Sequence, residues 1–306
     1  MKEKNGIADV LKMEFRNAAN LEQIIEVLRK AKGGVHPNCQ HYTTLNRLLT
    51  KIRDCKWYLT RADCVRLNDL QESRKFGDVA KIPRVWQSSF TVETSESAAM
   101  WALYCKESPF ALRISLPYDK VIEWVSNEKY LYKVVKGSRS ETATKTFSDK
   151  DGFESVANPV EVDDIDFHDI LYAATDFRDR RKSRLDFERQ NSLSWNHTYC
   201  KALNVADLVR HSDLTGWVKD YEWRHEAEAR IVAITKKIYQ PTSGLYLAVP
   251  KSLIRCMRFT MSPWLDERDE SEVENMIIGG LKSLGISHSG KIHRSTLSGS
   301  LNFEIR

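Results

Sequence analysis

The chain has 306 residues, 42% of them hydrophobic and 29% charged, with a net charge of +5. This composition excludes wholesale disorder, because enough apolar surface exists to offset the entropy of ordering the chain. A mean hydropathy of −0.48, with no run of about 18 apolar residues, argues against a membrane-spanning helix. The opening residues also lack the apolar segment and small-residue cleavage site of a secretory signal. Cys39, Cys55, Cys64, Cys105, Cys200 and Cys256 are scattered without a C-x-x-C pair. That pattern predicts reduced thiols, no structural metal site and a cytoplasmic protein.

In chain order, residues 7–31 place Leu11, Phe15, Leu21, Ile24, Ile25 and Leu28 at helical spacing, and Gly33-Gly34 follows as a C-cap would. An N-terminal helical extension over 1–34 and a main domain over 35–306 are therefore expected. An extended start through Cys39 and His41 leads into a helix carrying Leu45, Leu48, Leu49 and Ile52, then a strand at Trp57–Thr60. RVWQSSFTVE reads as a strand, SESAAMWALYCKE as a helix with a Ser or Glu cap, and FALRISLP and YLYKVVKG as strands. Residues 137–166 are polar and read as an exposed excursion. HDILYAATDFRDRRKSRLDFERQNSL reads as a long helix, with six basic residues from Arg178 to Arg189. GLYLAVP and CMRFTMSPW follow as strands, SEVENMIIGGLKSLG as a helix and LNFEIR as a last strand. The mixture is α+β, without the βαβ rhythm of a parallel sheet.

Four stretches carry residue types suited to chemistry. In His41-Tyr42-Thr43, the His and the Thr are two apart on an extended segment and point to one side, where they suit a planar amide or a ribose; a helix cap is the bland alternative. Asn68-Asp69 is turn chemistry. Ser89 and Thr91 lie two apart, and Trp101 and Tyr104 share a helix face as core or as a pocket wall. In WRHEAEARI, a strand puts Arg224, Glu226, Glu228 and Arg230 on one face, whereas a helix makes Arg224–Glu228 and Glu226–Arg230 ordinary ion pairs. Propensity alone favours the helix.

HYTTLNRLLTKI, LNDLQE, SSFTVE, MWALY, WRHEAEARI and MSPW occur in an order that resembles an ADP-ribosyltransferase-fold bacterial toxin and phage-defence family with a W-x-x-E-x-E-x-R motif. His41-Tyr42-Thr43 is also similar to the H-x-T start of the DNA-modifying ADP-ribosyltransferase toxins of toxin–antitoxin systems. The resemblance covers about residues 40–306. Leu70 departs from it where the family has Pro, and the excursion near 137–166 is an addition.

The resemblance implies an ADP-ribosyltransferase-like split β-sheet with flanking helices, NAD as co-substrate and no metal. It implies that His41, Tyr42 and Thr43 hold nicotinamide and its ribose, with Trp101 and Tyr104 nearby, and that Ser89 and Thr91 form the middle motif. Arg61 or Arg66 would grip the diphosphate, Glu228 would be the catalytic glutamate, and Glu226 would orient the acceptor. These residues are expected to converge on one cleft, and Trp223–Val232 is expected to be a strand against its helical propensity. Arg180, Arg181, Lys182 and Arg184, with the positive balance, point to nucleic acid as acceptor; the interleaved Asp179, Asp186 and Glu188 suit a solvated, ion-paired face equally well. A transferase aimed at nucleic acid further implies a neutralising antitoxin protein, alone or with a chaperone, which residues 7–31 could contact. The rival readings are a non-catalytic nucleic-acid-binding module on the same fold and an NAD glycohydrolase.

Overall fold

The computed structural model describes Met13, Glu14, Asn17, Gln23, Glu26 and Ser108, together with residues 36–64, 80–105, 110–133, 158–174, 184–187, 198–199, 215–240 and 244–300. In order, the elements are β1 (Asn38–Thr44), α1 (Leu45–Arg53), β2 (Lys56–Arg61), β3 (Val85–Thr91), α2 (Ala98–Cys105), β4 (Ala111–Pro117), α3 (Tyr118–Ser126) and β5 (Tyr130–Lys133). Then come β6 (Asn158–Asp169), β7 (Leu171–Ala174), β8 (Arg184–Phe187), β9 (Thr198–Tyr199), β10 (Val218–Asp220) and β11 (Glu228–Thr235). The chain continues with β12 (Leu245–Ala248), α4 (Lys251–Cys256), β13 (Arg258–Met261), α5 (Glu267–Ser283) and β14 (Ile292–His293). Helices and strands are mixed, and most pairings are antiparallel. The five described residues before His36 are all helical.

The chain forms two compact units, one from 1–37, 59–92 and 161–243, the other from 38–58, 93–160 and 244–306. In the first, β11 is a central strand. It pairs antiparallel with β3, Glu228 opposite Thr91 and Arg230 opposite Ser89, and on its other edge with β6, Arg230 opposite His168. A strand covered on both edges and both faces needs a near-continuous apolar run, and Ala229, Ile231, Val232 and Ala233 supply it. A second sheet in this unit runs β10-β7-β8-β9, with β10 and β7 parallel.

In the second unit, β4 lies between β1 and β13, antiparallel to both, and β13 pairs with β14 in parallel. Leu45, Leu48 and Ile52 form the buried stripe of α1. The α5 stripe is Val273, Ile277 and Leu281. Asp266 caps α5 by accepting from the Asp269 amide at 2.8 Å, a bond worth about 1 kcal/mol. At Gly280 α5 lies against α1, where a Cβ would meet Ile52 Cγ2 at an ordinary contact distance of 3.4 Å. Trp57 is fully buried and meets Trp124 edge-on at 5.9 Å.

Several elements differ from the sequence expectation. The segment from His168 is not a long helix: Leu171–Ala174 and Arg184–Phe187 are paired strands. Interstrand hydrogen bonds to β10 and within the hairpin outweigh a helix propensity of a few tenths of a kcal/mol per residue. Part of the expected excursion, from Asn158, is the twelve-residue β6. Tyr221–Glu226 is a 3₁₀ turn, so only Glu228 onward is strand. Helices α3 and α4 were not expected, although Tyr118, Val121, Trp124 and Val125 carry the helical period. The LNDLQE turn and the last strand, LNFEIR, lie outside the described residues. Among the described residues no helix is long and apolar enough to cross a membrane.

Candidate functional site

The candidate site of the first unit begins at the join between the 3₁₀ turn and β11. The Ala227 amide donates back to the Arg224 carbonyl at 3.0 Å, closing the turn. Ala227 then takes a left-handed φ of 42°, a conformation that costs a non-glycine residue about 1–2 kcal/mol. The kink ends the turn and starts the strand. It brings Glu226 and Glu228, from two different local structures, against one cation.

That cation is Lys219, on β10. Its ammonium donates to Glu226 Oε2 at 2.5 Å and to Glu228 Oε2 at 3.3 Å. It also lies 4.6 Å from the centre of the Trp223 ring, in cation–π range. Arg230 forks onto Glu228, with Nε to Oε1 at 2.6 Å and Nη2 to Oε2 at 2.8 Å, while its Nη1 reaches Gln87 Oε1 at 3.4 Å. The Glu228 amide donates to the Tyr172 hydroxyl at 2.7 Å. All four charged groups are at least 97% buried. Burial pushes the Glu228 carboxyl up, but Arg230 and Lys219 beside it, with hydrogen bonds from Arg230 and Ser89, prevail and hold it down at about 2. Burial and the Glu228 charge push the Tyr172 hydroxyl well above its ordinary range. Glu228 is thus held ionised, with both carboxylate oxygens engaged by buried cations.

His41, Tyr42 and Thr43 lie on β1 of the second unit, alternating as the sequence predicts. The His41 ring sits 4.7 Å from that of Trp57, and Thr43 is buried. On the opposite face, Tyr42 meets Trp101 edge-on at 4.9 Å, in a core cluster with Met100 and Cys105 against which Tyr104 packs. The Trp101 indole donates to Glu96 at 3.1 Å, and Glu96 also accepts from Ser295 and from the Thr296 amide and hydroxyl. Ser89 and Thr91 stand on β3 beside Arg230 and Glu228.

Arg61 is held by Asp63 through Nε and Nη2 and by the Tyr239 carbonyl through Nη1. Arg66, Arg180, Arg181 and Lys182 lie outside the described residues, and Arg184 stands on β8, a strand. The structure therefore joins Glu226, Glu228, Ser89 and Thr91 within one unit. Sequence reasoning missed Lys219, Gln87 and Tyr172. No motif marks Lys219; only its burial beside two carboxylates does. Cys39, Cys55, Cys64, Cys105 and Cys256 form no disulfide with one another, and Cys200 lies outside the described residues. Among the described residues no group of three His, Cys, Asp or Glu side chains is placed to hold a metal ion.

No family model and no curated protein matches the sequence. Among solved structures, the chain is similar to Thermus sp. 2.9 DarT in complex with NAD+, at 10% identity and a TM-score of 0.34, over 84% of this chain and 94% of that one. It is likewise similar to the same protein in complex with carba-NAD+, at 11% identity and a TM-score of 0.33, over 85% of this chain and 95% of that one.

Proposed function

We propose that the chain is an NAD-dependent ADP-ribosyltransferase of the toxin kind, with an ADP-ribosyltransferase-like split sheet, acting on nucleic acid in a toxin–antitoxin or phage-defence system. The observation that carries this reading is Glu228: buried, ionised, and held on the strand opposite Thr91 by Arg230, Lys219 and Ser89. The W-x-x-E-x-E-x-R motif that resembles the family delivers this carboxylate.

NAD supplies the ADP-ribosyl group, whose bond to nicotinamide breaks as the acceptor takes the ribose and the acceptor proton is released. Cleavage of that bond builds oxocarbenium-like charge on the ribose. A preformed negative charge suits it, and the Glu228 environment fits that requirement. In this reading His41 and Thr43 hold nicotinamide and its ribose, while Tyr42 and Trp101, with Tyr104 against them, pack on the other face of β1. Ser89 and Thr91 support Glu228, and Arg61 or Arg66 meets the diphosphate. Glu226 orients the acceptor. Arg180, Arg181, Lys182 and Arg184 are assigned to a nucleic-acid acceptor, and residues 7–31 to a neutralising antitoxin.

The test is incubation with labelled NAD and with RNA or DNA, comparing the parent with Glu228→Gln. A thermal melt selects preparations that remain folded. Nicotinamide release and nucleic-acid labelling are expected from the parent, and a drop of about 10²–10³ in the variant. Release without labelling makes the protein an NAD glycohydrolase. Nucleic-acid binding with no release makes it a binding module. Turnover equal in both proteins makes the glutamate structural.

A further inference from the structure

We propose that Lys219 is a positioning residue of this site, the side chain that lets two carboxylates share one buried place and fixes where each points. The proposal rests on the ADP-ribosyltransferase reading of Glu226 and Glu228. Lys219 comes from β10, in the other sheet of the unit, so the E-x-E repeat does not itself provide it. Its ammonium bridges the pair, at 2.5 Å from Glu226 Oε2 and 3.3 Å from Glu228 Oε2. The Trp223 ring lies against it on another side.

Two like charges in one buried place repel, and a carboxylate in such a pair takes up a proton unless a cation offsets the repulsion. Arg230 turns Nε and Nη2 onto Glu228. Lys219 is the described cation that donates to both. Glu226 from the 3₁₀ turn, Glu228 and Arg230 from β11 and Tyr172 from β7 stand around the ammonium and its carboxylates, with His168 of β6 opposite Arg230. Lys219 and Arg230 thus offset Glu226 and Glu228. Without Lys219 less positive charge offsets the two carboxylates, Glu228 binds a proton more readily, and the bridge between the carboxylates across Ala227 is lost. Lys219 works through the glutamates and needs no contact with substrate.

The test uses the full chain with Lys219→Met, which keeps the stem against Trp223 and removes the charge, and with Lys219→Arg, which keeps the charge. Nicotinamide release from NAD is followed across pH, and the glutamate carboxyls are titrated by NMR of labelled protein. Lys219→Met is expected to lower kcat about 10²-fold, as a slight misplacement of a catalytic group does. KM for NAD should change little, and the acid limb and the Glu228 titration should both move up by about one pH unit or more. Lys219→Arg should restore most of kcat and the parental acid limb.

A parental pH profile and carboxyl titration in Lys219→Met overturn the assignment. If the parent itself releases no nicotinamide, the transferase reading fails, while the titration still decides whether Lys219 controls the carboxylate pair. If Lys219→Met and Lys219→Gln both fail to fold while Lys219→Arg folds, the lysine merely holds the fold together and the assignment is overturned.

Discussion

Lys219 in the first unit and Lys51 in the second are buried to nearly the same depth, at 3% and 5% exposure, yet their surroundings are opposite. Lys219 meets two carboxylates and an indole face. Lys51 lies over the Trp57 ring at 4.8 Å, on the helix that carries Arg47 one turn earlier. Burial, with Arg47 adding to it, pushes the Lys51 ammonium down to about 7. Depth alone therefore does not set the charge of a lysine. The counter-charge does, because desolvation disfavours the ion in both places and carboxylates offset it only in the first. Glu228 is held ionised by its cations, whereas Lys51 can release a proton near neutrality. The Trp57 ring that Lys51 covers also meets His41.

The largest effect should come from breaking the paired cluster. Arg230→Met leaves Glu228 buried with half of its positive surroundings gone, and a loss of about 3–5 kcal/mol is expected from urea unfolding. Adding Glu228→Gln should recover part of that loss, so the double variant falls short of the sum of the singles. Strict additivity would mean that the Arg230–Glu228 fork contributes nothing.

Lys51→Met should move stability the other way, by about 1–4 kcal/mol at neutral pH, since it removes a buried cation and keeps the apolar stem. The pH dependence follows from linkage. Unfolded Lys51 holds its proton up to the ordinary lysine value of 10.5, while folded Lys51 releases it above about 7. Between those values the unfolded chain binds more protons, so stability rises with pH, and below 7 this contribution is flat at its least favourable value. Thermal melts of Lys51→Met should lack that rise. An identical slope in parent and variant would show that the lysine remains charged over Trp57.

The smallest change concerns the backbone that the two sites use differently. Lys51 rides on a regular helix, whereas Glu226 and Glu228 depend on the left-handed Ala227. Ala227→Gly removes the Cβ conflict at a cost in chain entropy, for a net gain of up to about 1 kcal/mol. A clear loss of stability would instead place the value of Ala227 in its buried methyl.

Much of the scaffold was legible in residue order. The α1 stripe, the β-rich run at β3 and the period of α5 appear as local patterns, and the structure places those elements there. Alternation on β1 correctly separates His41 and Thr43 from Tyr42. The region from β6 to β8 was not legible, because residues 168–187 satisfy helical composition while the partners of Leu171–Ala174 are the neighbouring strands β8 and β10. Within WRHEAEARI, the strand reading holds from Glu228 onward and fails before it, where Tyr221–Glu226 is a 3₁₀ turn. The observed contacts are Glu228 with Arg230, two residues apart, and both glutamates with Lys219.

The sequence by itself determined which side chains can act: two glutamates two residues apart, an arginine two residues further on, and a serine and a threonine on a β-rich run. Spacing and side-chain type are local properties, so they survive in one dimension. Only the tertiary structure decided that Glu228 is ionised, that Ala227 breaks the repeat into turn and strand, and that a lysine from another sheet joins the pair. Charge in a protein interior depends on what surrounds it in space. The groups that surround Glu228 come from β3, β7, β10 and β11, which only the folded chain brings together.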